Sequence, residues 1–266
     1  MIVRQSLLKT WQSCPEKLRL HLAGAPRQQS GALTFGTVIH ACVELLETTG
    51  NLQQALDRFE QWWAEPTTLD PTLKIDYYVR GTNWKKYRTN GKRILEEWAT
   101  IHSWNTDAVL AREYTFDVPI GDGHVLHGTI DRLSVRNGAD GPMIVVSDYK
   151  TSRKEPTYEW LEDDLQFTAY LYATGRPEFW ATFSDGQERF ERYKNYARFG
   201  EWIQLLGPKV KAAGTRSEPQ YNRLIRMVNQ LASSVDADIY VPTISGESCR
   251  YCDYRQSCGL REVEGT

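Results

Sequence analysis

The sequence predicts an α/β protein in which a mixed central sheet is flanked by helices. Three observations carry that expectation. Apolar residues recur at helical spacing through the first hundred positions. Three β-rich runs broken by turn signals follow between 109 and 151. Helical spacing then returns, with two further strand-like runs behind it.

Over residues 4–22, Leu7, Leu8, Trp11, Leu18 and Leu22 lie near helical spacing. Pro15 is expected to kink or restart that helix, because proline lacks the N–H and clashes with the preceding turn. Residues 37–48 and 52–64 read as two more helices separated by Gly50, and another ends near His102. Runs 109–119, 125–135 and 143–151 read as a three-strand antiparallel meander, with Gly121-Asp122-Gly123 and Asn137-Gly138 as turns. Helical spacing returns over 159–174 through Leu161, Leu165, Phe167, Ala169, Tyr170 and Leu171. Residues 176–199 fit either short helices or a hairpin. Runs 202–206 and 210–216 read as strands, 221–234 as a helix, and the tail as irregular. The order admits α/β or α+β. We read 1–266 as a single domain: a helical region over 1–105, a sheet-based core over 106–217, and a C-terminal helix and tail over 218–266.

A chain of 266 residues buries a substantial core without disulfides. Its 41% hydrophobic and 25% charged content reads as soluble and globular. No apolar run approaches a membrane span. Lys9 and polar neighbours stand where a signal peptide needs its apolar core, so the expected location is the cytoplasm. The net charge of −2 and pI near 6.2 argue mildly against a nucleic-acid binder. The distribution argues the other way. Lys74, Arg80, Lys85, Lys86, Arg88, Lys92 and Arg93 face one acid, Asp76, with Tyr77, Tyr78, Trp84 and Tyr87 interleaved. That pattern suits DNA, by phosphate attraction and base stacking. It equally suits a solvated helix face with core aromatics.

The strongest chemical signal sits in the meander. One strand carries Gly128-Thr129-Ile130-Asp131-Arg132, and the next carries Val145-Val146-Ser147-Asp148-Tyr149-Lys150. Side chains alternate along a strand, so Asp148 and Lys150 project together and Tyr149 faces away. Asp131 belongs to the neighbouring strand. Two acids and a lysine on one face suit a divalent metal with a cationic partner. Phosphodiester hydrolysis needs an attacking water, neutralised phosphoryl charge and a stabilised leaving oxygen. Mg²⁺ or Mn²⁺ on carboxylates meets these needs, with Lys150 orienting or deprotonating the water. The plain alternative is an Asp–Lys pair on a sheet surface. His40, in Gly36-Thr37-Val38-Ile39-His40, is a further ligand candidate or a packed core residue. Gln166 and Tyr170, at i and i+4, share one helix face.

Five cysteines is an odd count. Cys249, Cys252 and Cys258 form C-x₂-C-x₅-C, which suits a metal rather than disulfides in an intracellular chain. Cys14 is the best fourth ligand, and bridging it to Cys249 closes almost the whole chain. Spacing alone leaves zinc and an iron–sulfur cluster both open. Cys42 reads as a buried free thiol.

The order G-T-x-x-H, G-x-I-D, D-x-K and Q-x-x-x-Y, from Gly36 to Tyr170, resembles the RecB-type branch of the PD-(D/E)XK nucleases. That branch includes the nuclease modules of recombination helicases, CRISPR-associated spacer-acquisition exonucleases and related phage exonucleases. The resemblance implies a restriction-endonuclease-like core. It implies a metal on His40, Asp131, Asp148 and the Tyr149 carbonyl, a catalytic Lys150, and support from Gln166 and Tyr170. Glu113 resembles an acid found on the preceding strand, with a structural reading standing beside it. For Cys14, Cys249, Cys252 and Cys258 the resemblance implies a [4Fe-4S] cluster in preference to zinc. The expected activity is a Mg²⁺- or Mn²⁺-dependent DNA exonuclease acting on single strands or ends. Its expected setting is recombination, repair or CRISPR-type processing in a bacterial or phage-infected cell, beside recombination or CRISPR-adaptation proteins. The rival is a non-catalytic nucleic-acid-binding adaptor with structural zinc or iron–sulfur. Clustered carboxylates facing phosphate disfavour it. Residues 176–199 depart from the family, being longer and more aromatic than its usual link.

Overall fold

The computed structural model describes residues 1–27, 31–73, 84–102, 107–152, 154–243, 249–250 and 252–260. The chain opens on a short strand, β1 (Ile2–Arg4), and two helices, α1 (Gln5–Ser13) and α2 (Pro15–Leu22). Pro15 restarts the helix at its first position, where a missing N–H costs nothing, and leaves Cys14 extended at the corner. Three helices follow: α3 (Gly31–Thr49), α4 (Leu52–Ala64) and α5 (Trp84–His102). Asn51 fixes the start of α4, its side chain accepting from the Gln54 N–H. Gly91 of α5 is required by close packing, since a Cβ there would stand 2.0 Å from the Phe59 ring.

The expected meander is present as β2 (Ala108–Ile120), β3 (His124–Gly138) and β4 (Gly141–Lys150). β3 is the spine. Its Leu126 pairs with Val3 on one edge and Val118 on the other, and its Arg132 pairs with Ser147 and Arg112. β1 and β4 therefore take successive halves of one edge of β3, and β2 runs along the opposite edge. β4 continues in parallel to β5 (Ala197–Gln204), and β5 antiparallel to β6 (Lys209–Gly214). The sheet is mixed, as expected. The parallel β4–β5 step needs a long crossover. It contains α6 (Tyr158–Glu162), α7 (Leu165–Thr174), α8 (Pro177–Trp180) and α9 (Gly186–Tyr193), and α10 (Glu218–Asp236) follows β6.

Alternation along the strands fills two separate cores. Ile144 and Val146 of β4 pack with Leu8, Leu18, Leu171, Trp180 and Leu231. Tyr149 and Ile203 pack with Phe35, Ile39, Phe59, Trp63 and Trp98. Helices α3 to α5 thus cover one face, and α1, α2, α7, α8 and α10 the other. Among the described residues no helix is long and apolar enough to cross a membrane.

The structure differs from the sequence reading in several places, β5 among them, which begins at Ala197 rather than 202, and it selects short helices from the two readings given for 176–199. β1 was not foreseen. α3 begins at Gly31 rather than 37. The helix expected over 159–174 is two, because the Asp164 side chain accepts from the Gln166 and Phe167 N–H groups and starts a new helix there. Residues 177–193 are short helices, and their aromatics serve the core: Phe179 and Trp180 are buried, and Phe183 stacks on Tyr114 at 4.6 Å.

Candidate active site

The ladder between β3 and β4 ends at Arg132 and Ser147. Asp131 and Asp148 are the next residues on the two strands, so the separating strands place them side by side. Both are buried, at 9% and 1% exposure. The Tyr149 N–H, freed from the ladder, donates to Asp131 Oδ2 at 2.5 Å. Lys150 folds back onto the same spot, with Nζ 2.6 Å from Asp148 Oδ2.

Two helices complete the site, one from each layer. From α3, His40 Nδ1 lies 3.4 Å from Asp131 Oδ1 and 3.7 Å from Glu113 Oε1. From α7, Gln166 donates through Nε2 to Asp148 Oδ1 at 2.7 Å and to the Tyr170 hydroxyl at 3.0 Å, while its Oε1 accepts from Lys150 at 3.4 Å. An amide is the side chain that joins a carboxylate to an ammonium, because it donates to one and accepts from the other. Asp164 aims this helix: it caps the Gln166 N–H and pairs with Lys9 at 2.9 Å.

Glu113 has a larger place than the sequence reading gave it. It sits in β2 with φ of 41°, left-handed for a residue with a Cβ. The β2–β3 ladder passes from Arg112–Arg132 to Tyr114–Ile130 without pairing it. Such strain costs on the order of 1–3 kcal/mol and gathers at functional sites. It brings Glu113 to Asp131 and His40, and one ligand atom from each lies within 4.8 Å of the other two. Asp148 stands beside this trio and acts on it through charge.

The electrostatics describe a site short of positive charge. Burial pushes the Asp148 carboxyl up to about 6, against the pull of Lys150 and with the push of Asp131. Burial also opposes ionisation of Asp131, but the His40 and Lys150 charges outweigh it and hold Asp131 below the usual carboxylate range. His40, despite burial, is raised to about 10 by Asp131 and Glu113. Lys150 is likewise raised, with burial outweighed by Asp148 and Asp131, so it stays an ammonium. Glu44, one turn beyond His40, is raised by burial and by Glu113. A cleft of about 700 Å³ opens here, bordered by Gly36, His40, Glu44, Glu113, Lys150 and Ser152.

These residues fit a divalent cation. Asp148 is 1% exposed, and among the described residues its Oδ2 has the Lys150 ammonium, at 2.6 Å, as its partner, leaving three acids to share two cationic side chains. Carboxylates suit Mg²⁺ or Mn²⁺, and an imidazole among them favours Mn²⁺.

The basic stretch is largely neutralised where the structure describes it. Arg88 and Lys92 both pair with Glu60, and Arg93 pairs with Glu97. Lys85 and Lys86 are exposed. Trp84 and Tyr87 are not a stacking surface but flank the core, Tyr87 lying 4.8 Å from the Phe35 ring. Lys74, Asp76, Tyr77, Tyr78 and Arg80 lie outside the described residues. Cys42 is a buried thiol, as expected. Cys14 and Cys249 meet at Thr243: its N–H points at Cys14 Sγ at 3.4 Å, and its carbonyl lies 4.0 Å from Cys249 Sγ. Cys252 and Cys258 are partly exposed on a tail held to α2 by Lys17 with Asp253 and by His21 with Tyr254.

A family profile described as the PD-(D/E)XK nuclease superfamily matches residues 5–259. A crystal structure from Eubacterium rectale, described as a candidate exonuclease, is similar over 98% of this chain and 92% of its own, at 14% identity and a TM-score of 0.48. The structure of SSO0001 is similar over 96% and 95%, at 14% identity and a TM-score of 0.35. No curated protein sequence matches the chain.

The pKa shifts fix the sign of a pH effect. Asp148 and His40 both hold protons in the metal-free fold to higher pH than in the unfolded chain. Their stabilisation is therefore present at low pH and lost as pH rises through those values, whereas that of Asp131 is lost as pH falls. A cation needs all three deprotonated. The rise in melting temperature on adding Mn²⁺ is expected to be larger at about pH 8 than at about pH 5. Equal rises at both would contradict the site.

Proposed function

Because the chain belongs to the PD-(D/E)XK nuclease superfamily, and is on that ground a metal-dependent nuclease, we propose that it is a Mg²⁺- or Mn²⁺-dependent deoxyribonuclease acting on single strands or free ends. The observation that carries this reading is the gathering of ligand atoms from His40, Glu113 and Asp131 within 4.8 Å of one another, with the buried Asp148 carboxylate on the adjoining strand. A divalent cation held there supplies Lewis-acid chemistry, offsetting phosphoryl charge and lowering the pKa of water.

The chain's own groups then have distinct tasks. Asp131, Asp148, Glu113 and His40 hold the cation, with the Tyr149 carbonyl as a further oxygen. Lys150, beside Asp148 on the same face, orients water or helps to deprotonate it and offsets negative charge developing on the phosphate. Gln166 and Tyr170 keep Asp148 and Lys150 aligned. A cleft of about 700 Å³ has the volume of a site for a drug-sized ligand. That supports one threaded strand over an intact duplex.

The four cysteines are proposed as one iron–sulfur centre. An all-thiolate set suits such a cluster or zinc; the support is the C-x₂-C-x₅-C spacing and the resemblance, since among the described residues the group gathered for a metal is His40, Glu113 and Asp131 and not the cysteines. The proposed role is to tie the first helices to the tail.

Wild type is expected to degrade labelled single-stranded DNA with Mn²⁺ or Mg²⁺. Asp148→Asn and Lys150→Ala should each lose about 10²-fold or more in rate while keeping the fold. Equal activity in the variants would defeat the assignment. Freshly purified protein should be brown, with broad visible absorption, and Cys252→Ala should lower folded yield. Colourless protein with bound zinc, or normal stability of that variant, would count against the cluster.

A further inference from the structure

One buried acid of the molecule lies outside the proposed catalytic set yet touches elements that carry it. Glu47 stands on α3 two turns beyond His40, and its side chain is 1% exposed. Among the described residues it accepts hydrogen bonds from three different elements. The Tyr149 hydroxyl of β4 donates to Oε1 at 2.5 Å. The Trp98 indole N–H of α5 donates to the same oxygen at 3.1 Å. The Arg112 guanidinium of β2 donates to Oε2 at 2.8 Å.

Two of these partners, Tyr149 and Arg112, are neighbours in sequence of the site residues. Tyr149 lies between Asp148 and Lys150, and its backbone N–H holds Asp131. Arg112 precedes Glu113, whose left-handed backbone needs support from both sides. On the far side, Tyr114 gives its hydroxyl to the Phe179 carbonyl at 2.7 Å. Glu47 is thus one fixed point shared by α3, β2 and β4, the elements that supply His40, Glu113 and Asp148. Its side chain faces the opposite core from Asp148, so it touches none of the reacting groups.

Resting on the metal-site reading above, we propose that Glu47 is a positioning residue that sets metal affinity by locking Tyr149 and Arg112 in place. A buried carboxylate with three donors is rigid, and removing it frees each donor to relax. Outer partners of metal sites typically account for about 10–100-fold in affinity. The same range is expected here, because two of the supplying strands lose their common anchor.

The test is calorimetric titration of Mn²⁺ into metal-free full-length protein without DNA, with melting temperature measured in parallel. Glu47→Gln should bind Mn²⁺ about 10–100-fold more weakly than wild type. Tyr149→Phe should weaken it less, in the same direction. Asp107→Asn is the control, since it breaks the buried Arg136 pair away from the site. It should lower melting temperature and leave Mn²⁺ affinity unchanged. Cleavage by Glu47→Gln should approach the wild-type rate as Mn²⁺ is raised. Wild-type affinity in both Glu47→Gln and Tyr149→Phe overturns the proposal, as does an equal loss in Asp107→Asn. Should Glu47→Gln fail to fold, Tyr149→Phe decides alone. A wild type that binds no Mn²⁺ removes the metal-site reading and this proposal with it, whereas unchanged affinity in the variants removes only the proposal.

Discussion

Carboxylates of like charge buried within reach of one another are the constraint on which the rest of this structure depends. Asp131 and Asp148 are almost fully buried on neighbouring strands, and Glu113 approaches from a third. Like charges in a low dielectric raise one another's cost of ionisation, and Asp148 is pushed up accordingly. Against three carboxylates the chain offers His40 and Lys150 as cations and Gln166 as a neutral donor. A bound cation resolves that imbalance, and the superfamily to which the chain belongs makes metal-dependent phosphodiester hydrolysis its consequence.

The architecture follows from placing that charge at the separation of β3 and β4. Leaving the ladder frees the Tyr149 N–H for Asp131 and turns Lys150 toward Asp148. The two helical layers each contribute one arm: α3 brings His40 from one face, and α7 brings Gln166 from the other. Long-range contacts hold both arms. Lys9 reaches Asp164 at the start of α7, and Glu47 ties α3 to β2 and β4. Substitutions at these anchors act on the site through geometry rather than by removing a reacting group.

Much of this was legible in the sequence because it depends on period and order. Alternation put Asp148 and Lys150 on one face and Tyr149 on the other, and the two cores show that division. The meander was set by turn residues, and the crossover helix by its apolar spacing. What was not legible depends on tertiary closeness. No period reveals that Glu113 adopts φ of 41°, so its place in the trio appears only in space. Glu47 left a faint sign, an acid on the face of α3 that carries Ile39, Val43 and Leu46, but its donors come from 51 to 102 residues away. Charge counts do not reveal pairing in the basic stretch, where Arg88 and Lys92 share Glu60. The helix expected over 159–174 ran unbroken through Asp164, and the Asp164 cap that splits it is a local contact that apolar spacing does not encode.

The central claim is that the buried acids require a cation before the chain can cleave a phosphodiester bond. Protein stripped by a chelator, then supplied with Mn²⁺, tests this on end-labelled single-stranded DNA. The account predicts no cleavage in the stripped protein and recovery when Mn²⁺ is restored. Undiminished cleavage in the stripped, chelator-treated protein would contradict it.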